Sequence, residues 1–216
     1  MTYLTFRPYW HVPLSIQRKE LAPEIERDRT YLAKHGYEVV DAQDEVVARE
    51  VDDAMLSDLR SGKLELRQVP GEDNALGLVA FMFPNEHQVY MHDTPATSLF
   101  AKSRRDFSHG CIRLEKPLEL AKWALRDQPE WTEERILAAM HGTKTFSVRL
   151  EKPIPVLIVY ATAIVTASDE VHFFDDIYGQ DAELIAEAAK GYPTSGKKAD
   201  GKKNATTGGK VPHPRE

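Results

Sequence analysis

The clearest hydrophobic rhythm lies in the second half of the chain. Leu78–Phe83 is a continuous apolar run and predicts a strand. Pro84 and Asn85 turn the chain, and Val89–His92 predicts a second strand, so the two read as a hairpin. Residues 93–115 follow as a long polar connection without period, and long ordered connections in compact domains often carry function. A helix is expected from Pro117, whose ring suits a first turn, with Leu118, Leu120, Ala121, Ala124 and Leu125 along it. Thr132 is placed to cap another through Ile136, Leu137 and Met140, and Glu133 and Glu134 favour its positive end. Thr145–Leu150 alternates as a strand does. Ile154–Val165 is a long β-branched run, and Asp169–Glu170 turns into Val171–Phe174.

The first half is less regular. Residues 1–14 are aromatic and proline-rich, which predicts an extended path. Ser15 is placed to cap a short helix over Ile16–Leu21, ended before Pro23. Ile25, Tyr31 and Leu32 mark a second helical stretch stopped at Gly36, and Tyr37–Val40 reads as a strand. Residues 41–68 are charged, with short strands at Val46–Val47 and Leu64–Leu66. The stretch 70–77, PGEDNALG, is turn and loop. The expected fold class is mainly β with peripheral helices, α+β. Residues 15–68 form a small, polar, partly helical subdomain, and 69–190 the better-defined part. From residue 191 the chain turns to Gly, Lys, Thr, Pro and Asn; 191–216 is expected to be a disordered basic tail.

Composition narrows the class. Hydrophobic residues make up 42% and charged residues 29% of 216, a globular balance. The longest apolar stretch, Pro155–Val165, is about half of what a bilayer-spanning helix needs. The first residues lack the apolar core of a signal peptide. One cysteine excludes an internal disulfide framework. The formal charge is −6, and the tail is basic, so the remainder is strongly acidic; a wide nucleic-acid-binding face is not expected.

The candidate chemistry is Ser108-His109-Gly110-Cys111-Ile112-Arg113, with His92-Asp93-Thr94-Pro95 upstream at the end of a predicted strand. A thiol attacks carbonyls as thiolate, so a nucleophilic cysteine needs a base or a positive neighbourhood. Lys102, Arg104, Arg105 and Arg113 supply that neighbourhood, and His92 could serve as the base. Gly110 permits a close backbone approach and N–H groups aimed at an oxyanion. Other readings stand beside this one. Cys111 fits a buried small hydrophobe, and His92 a satisfied core histidine. His87, His92, His109 and Cys111 could also be zinc ligands, although no H-E-x-x-H or paired C-x-x-C accompanies them. P-loop, G-x-G-x-x-G and G-x-S-x-G motifs are lacking.

A histidine, a spacer of about fifteen residues and then Ser-His-Gly-Cys resembles the signature of the L,D-transpeptidase (YkuD) catalytic domain. PYWHVPLSIQRKE, YLAKHGYEVVD, PGEDNALG and PIPVLIVYATA are similar to the long, YcbB-type subgroup, from about Phe6 to Asp181. The resemblance implies a β-sandwich of mixed sheets, 1–14 as the start of the catalytic domain, 15–68 as an inserted capping subdomain and 69–190 as the catalytic domain. It implies 3→3 cross-linking of peptidoglycan stem peptides through a cysteine thioester, releasing D-Ala from a tetrapeptide, without metal or organic cofactor. Carbapenems would acylate the cysteine. Cys111 would be the nucleophile and His92 the base, its ring oriented by the Asp93 carbonyl. Ser108, His109, Gly110, Arg113, Asn74 and Tyr90 would shape the substrate site. The family acts on the periplasmic or cell-wall side of the inner membrane, and no export signal is read in this chain. Members of the subgroup carry strands upstream of the segment at which this chain begins, so the first strands are expected to be missing or supplied differently. Two alternatives remain open: an incomplete piece that binds without catalysing, and an L,D-carboxypeptidase using water as acceptor. The oligomeric state stays unassigned.

Overall fold

A computed structural model of the chain describes residues 1–47 and 51–191. The expected tail lies, beyond Gly191, outside the described residues. The described chain divides into two compact units at Leu157/Ile158.

In chain order the first unit holds strands β1 (Tyr3–Phe6) and β2 (Trp10–His11) and helix α1 (Leu14–Ile16), which runs through a π-helical turn (Gln17–Leu21) into α2 (Ala22–Arg27). Next come α3 (Tyr31–Lys34), β3 (Tyr37–Val40), α4 (Asp53–Ser61) and β4 (Glu65–Gln68). Then follow β5 (Val79–Met82), β6 (Met91–His92), a 3-10 turn (Thr97–Ala101) and β7 (Ile112–Arg113). Helices α5 (Pro117–Ala124) and α6 (Glu133–Met140) precede β8 (Phe146–Arg149). With mixed sheets and several helices, the fold class is α+β.

Five strands form one mixed sheet in the order β7-β6-β5-β1-β8. The proline-rich start is extended, as the sequence predicts, and supplies an interior strand: β1 pairs antiparallel with β5 and with β8. Leu4 and Phe6 of β1 and Val79 and Phe81 of β5 point to one face and are fully buried against Ala121, Leu125 and Ile136 of the α5–α6 region. Burying each large side chain is worth about 1.5–3 kcal/mol. Phe6 also stacks on Trp131, with ring centroids 5.4 Å apart. Both helices form as read: Pro117 lies in the first turn of α5, and the Thr132 hydroxyl accepts from the Arg135 N–H.

Between the neighbouring strands β1 and β5 the chain makes a long excursion with its own core. It leaves at Arg7 (φ +51°) and returns where the Arg7 N–H donates to the Leu78 carbonyl at 2.9 Å. The three-stranded sheet β2-β4-β3 packs there with α1–α4 around Ile25, Met55, Leu56, Leu59 and Leu66. Two sequence expectations need correction here. Ser15 does not cap: the helix starts at Leu14 behind Pro13, with no side-chain cap. Nor does it end before Pro23, which falls in the first turn of α2, where its missing N–H costs nothing. Helix α4 lies within 41–68, where the sequence reading placed only short strands. The Asp52 carboxylate accepts from the Met55 N–H at 2.7 Å, and Gly62 (φ +80°) closes the other end.

Gln17 ties the π-helical turn to that core. Its side chain is fully buried; the amide nitrogen donates to the Leu59 and Leu64 carbonyls at 2.7 and 2.9 Å, and the amide oxygen accepts from Leu66 N–H at 2.7 Å. Gln17→Leu leaves these backbone groups buried and unpaired, at an expected cost of about 3 kcal/mol. The thermal midpoint should fall by roughly 6–12 °C, read by circular dichroism.

The second unit, from Ile158, contains the hairpin β9 (Ala163–Val165) and β10 (Val171–Phe173) and helix α7 (Asp181–Ala189). Asp176 organises it, accepting from the Tyr160 hydroxyl and from the Gln180 and Asp181 N–H groups. The long run Ile154–Val165 is strand only at its last three residues. Ile154 N–H donates to the Met1 carbonyl at 2.8 Å, but residues 155–161 find no backbone partner among the described residues, Leu157 and Val159 are exposed at 85% and 72%, and unpaired backbone does not form a sheet.

Candidate active site

The site is built on the β6–β7 pair. These strands run parallel, with Met91 opposite Ile112 and His92 opposite Arg113. The bonds Ile112 N–H to Tyr90 carbonyl (2.9 Å) and Leu114 N–H to His92 carbonyl (2.8 Å) extend this register and set Tyr90 beside Cys111. Side chains alternate along strands. Met91 packs on the α5–α6 core, so Tyr90, His92, Cys111 and Arg113 share the other face of the sheet. The upstream histidine and the downstream cysteine are thereby brought onto adjacent strands.

His92 is 5% exposed. Its Nδ1–H donates to the Asp93 carbonyl, which leaves Nε2 with the free lone pair. Burial holds the imidazole below its ordinary pKa, and the Arg113 cation pushes the same way, while the Asp93 carbonyl and carboxylate oppose them. Burial first, then the neighbouring Cys111 side chain, raises the pKa of the Tyr90 phenol well above that of free tyrosine. Cys111 itself is half-buried and unbridged.

Asp93 does more than lend a carbonyl. Its carboxylate accepts from the Leu78 N–H at 2.8 Å and the Thr94 N–H at 2.7 Å, bracing the turn after β6 against the chain entering β5. Gly77 makes this fit possible. It sits at φ +61°, and a Cβ there would lie 2.5 Å from the Asp93 carboxyl. The sequence marks Gly77 only as a loop glycine.

The loop before Cys111 is folded on itself. The Ser108 hydroxyl donates to the Cys111 carbonyl at 2.5 Å and accepts from the Gly110 N–H at 3.0 Å. Gly110 takes φ +140°, a conformation other residues avoid. Its N–H is thus occupied, whereas the Cys111 N–H has no partner among the described residues. Arg113 donates to the Phe107 carbonyl at 3.1 Å. Of the other loop cations, Arg104 grips Asp106 through two bonds of 2.7 Å, and Lys102 lies over the Phe107 ring. His109 Nε2 is 2.8 Å from Glu20 Oε1, on the π-helical turn.

Asn74 is placed differently from the expected substrate contact. It is 1% exposed, and its amide donates to the Pro8, Gln68 and Val69 carbonyls while its oxygen accepts from Leu76 N–H. Every polar atom is thus used to fold the 70–77 loop. Among the described residues no group of three or more His, Cys, Asp or Glu side chains is placed to hold a metal ion. No helix among them is long and apolar enough to cross a membrane.

This arrangement places a thiol, a buried imidazole, a phenol and a guanidinium on one face, beside an N–H unpartnered among the described residues, groups whose chemistry suits nucleophilic attack on a carbonyl. A model of the L,D-transpeptidase catalytic domain (YkuD) matches residues 1–156. A Haemophilus influenzae protein named "Putative L,D-transpeptidase" is 32% identical over 184 residues, which is 85% of this chain and 37% of that protein. The chain therefore spans little more than a third of that relative's length. By both matches, and by the histidine and Ser-His-Gly-Cys segment they cover, the chain belongs to the L,D-transpeptidase (YkuD) catalytic-domain family.

Proposed function

We propose that this chain carries the acyl-transfer site of a cysteine L,D-transpeptidase that builds 3→3 cross-links between peptidoglycan stem peptides, on the periplasmic or cell-wall side. The observation that supports this best is the shared face of Cys111 and a buried His92 whose ring is pinned through Nδ1. The Cys111 proton passes to His92 Nε2. The thiolate then attacks the carbonyl carbon of the third stem residue; the C–S bond forms and the bond to D-Ala breaks. The imidazolium returns its proton to the departing D-Ala nitrogen. Such acid–base assistance is worth roughly 10²–10⁴-fold. The Cys111 N–H and the Tyr90 hydroxyl are the donors on hand for the oxyanion, and Arg113 for a stem carboxylate. Asp93 positions His92, while Ser108 and Gly110 shape the turn that carries the nucleophile. The 15–68 lobe acts as a cap, and a carbapenem acylates the same sulfur. Water as acceptor would give a carboxypeptidase from the same thioester.

Intact-mass analysis with a tetrapeptide stem tests this. The expected result is a thioester adduct retaining three residues, with one D-Ala released per site. A folded chain that stays unmodified and releases no D-Ala overturns the reading.

The pH profile offers a second check. The base must be neutral, so the low-pH limb of acylation should lie below the ordinary histidine value of about 6.5. Arg113→Gln removes a cation that lowers the His92 pKa. That limb should therefore move to higher pH in the variant, measured as adduct formation rate against pH.

A further inference from the structure

Segment 92–113, which carries both halves of the motif, holds two carboxylates, and both are committed. Asp93 is bonded to the Leu78 and Thr94 N–H groups, and Asp106 to Arg104. The rest of its fixed charge is positive: Lys102, Arg104, Arg105 and Arg113. Among the described residues one carboxylate pairs with the motif from outside the segment. Glu20 comes from the π-helical turn and meets His109, two residues before Cys111, at 2.8 Å.

The placement of Glu20 is built. π-Helical turns are rare and occur often at functional sites. This one is held by the buried Gln17 amide on one side. On the other, Arg18 donates to the Arg60 and Ser61 carbonyls at the end of α4. The ion pair that results is not a stability device. The two side chains are 61% and 51% exposed, and such pairs are worth about 0–1 kcal/mol. An incoming cation can therefore take the place of the His109 ring at little cost.

The acceptor in cross-linking is a side-chain amine, with an ordinary pKa of about 10.4. It arrives as an ammonium, and the cations of the motif segment repel it. We propose that Glu20 is the acceptor-side anchor: its carboxylate receives the ammonium of the attacking stem peptide beside His109 and delivers it to the thioester on Cys111. This assignment rests on the acyl-transfer reading above. The bound ammonium yields one proton to solvent. The neutral amine adds to the thioester carbonyl carbon, the C–N bond forms, and the C–S bond breaks with sulfur leaving as thiolate. The second amine proton goes to His92, restoring the thiolate–imidazolium pair. Glu20 thereby tilts the acceptor choice toward amine and away from water.

The test is a product ratio. Wild type, Glu20→Gln and Glu20→Asp are each given a tetrapeptide donor and an amine-bearing acceptor stem, and cross-linked dimer is measured against hydrolysed tripeptide. Both products descend from the same thioester, so the ratio is independent of how much protein folds. Glu20→Gln should lower the ratio at least tenfold and raise the acceptor KM, while Glu20→Asp, which keeps the charge, retains most of it. A ratio in Glu20→Gln within twofold of wild type overturns the assignment, as does an equal fall in both variants, or a wild type that yields tripeptide alone at saturating acceptor. If wild type forms no thioester at all, the acyl-transfer reading fails and takes this one with it; if the thioester forms and the ratio holds, only the role of Glu20 falls.

Discussion

Cys111→Ala is expected to abolish covalent labelling by a carbapenem and the release of D-Ala from a tetrapeptide stem. The sulfur is the only cysteine in the sequence, and His92 alone has no carbonyl-attacking partner on its strand face once it is gone. The loss should be at least about 10⁴-fold, because no other group can form the acyl intermediate and only oxyanion and binding contributions remain. Cys111→Ser should be almost as inactive, since a hydroxyl ionises far less readily than a thiol. Cys111 is only half-buried and is not part of the apolar core, so the substitution should leave thermal stability within about 0.5 kcal/mol of wild type. Intact-mass spectra after carbapenem exposure, with a melting curve on the same sample, give the answer. An adduct persisting on folded Cys111→Ala places the nucleophile elsewhere.

Gly77→Ala should also lower acylation, by a smaller factor, without touching substrate. A side chain at φ +61° costs roughly 1–2 kcal/mol, and the new methyl lies within 2.6 Å of the Cβ, Cγ and Oδ2 of Asp93. Asp93 has to move, and with it the carbonyl that fixes the His92 ring. A displacement of about 1 Å at such a distance from the chemistry can cost about 10²-fold in rate. The bond from His92 to that carbonyl raises the imidazole pKa, so weakening it lowers the pKa further and shifts the low-pH limb of acylation downward. Simple destabilisation would lower the amplitude and leave the limb in place. Gly71→Ala is the control, because a Cβ there meets nothing closer than 4.0 Å and its φ is ordinary. Acylation rates across pH for the two variants separate the outcomes; equal behaviour sinks the argument.

Much of the sheet was legible in the sequence because its strands and helices carry their own punctuation. Pro84 and Asn85 mark the β5–β6 hairpin, and Pro117 and Thr132 open α5 and α6 where expected. The cysteine motif was legible too, since four adjacent residues and a distant histidine leave little freedom. Helix α4 could have been found: Asp52 and Gly62 bracket Met55, Leu56 and Leu59 at helical spacing, but the surrounding charge hid them. Other features had no local signal. The π-helical turn depends on a glutamine whose partners lie more than forty residues away. Asn74 reads as a polar loop residue, and only the folded backbone around it reveals that it faces inward. Gly77 and Glu20 matter through neighbours distant in sequence, and one sequence cannot register such proximity. Conversely, residues 155–161 have the apolar character of a strand but no partner among the described residues, and partnership is not a local property.

The place of β1 has a consequence for biosynthesis. Its residues precede their partners in β5 by more than seventy positions and those in β8 by 140 or more. At a synthesis rate of about 5–20 residues per second, this interior strand waits roughly 7–30 s for its last neighbour to emerge from the ribosome. During that interval Leu4 and Phe6 are an unpaired apolar edge, and a holding chaperone or early folding of the intervening lobe has to shield them.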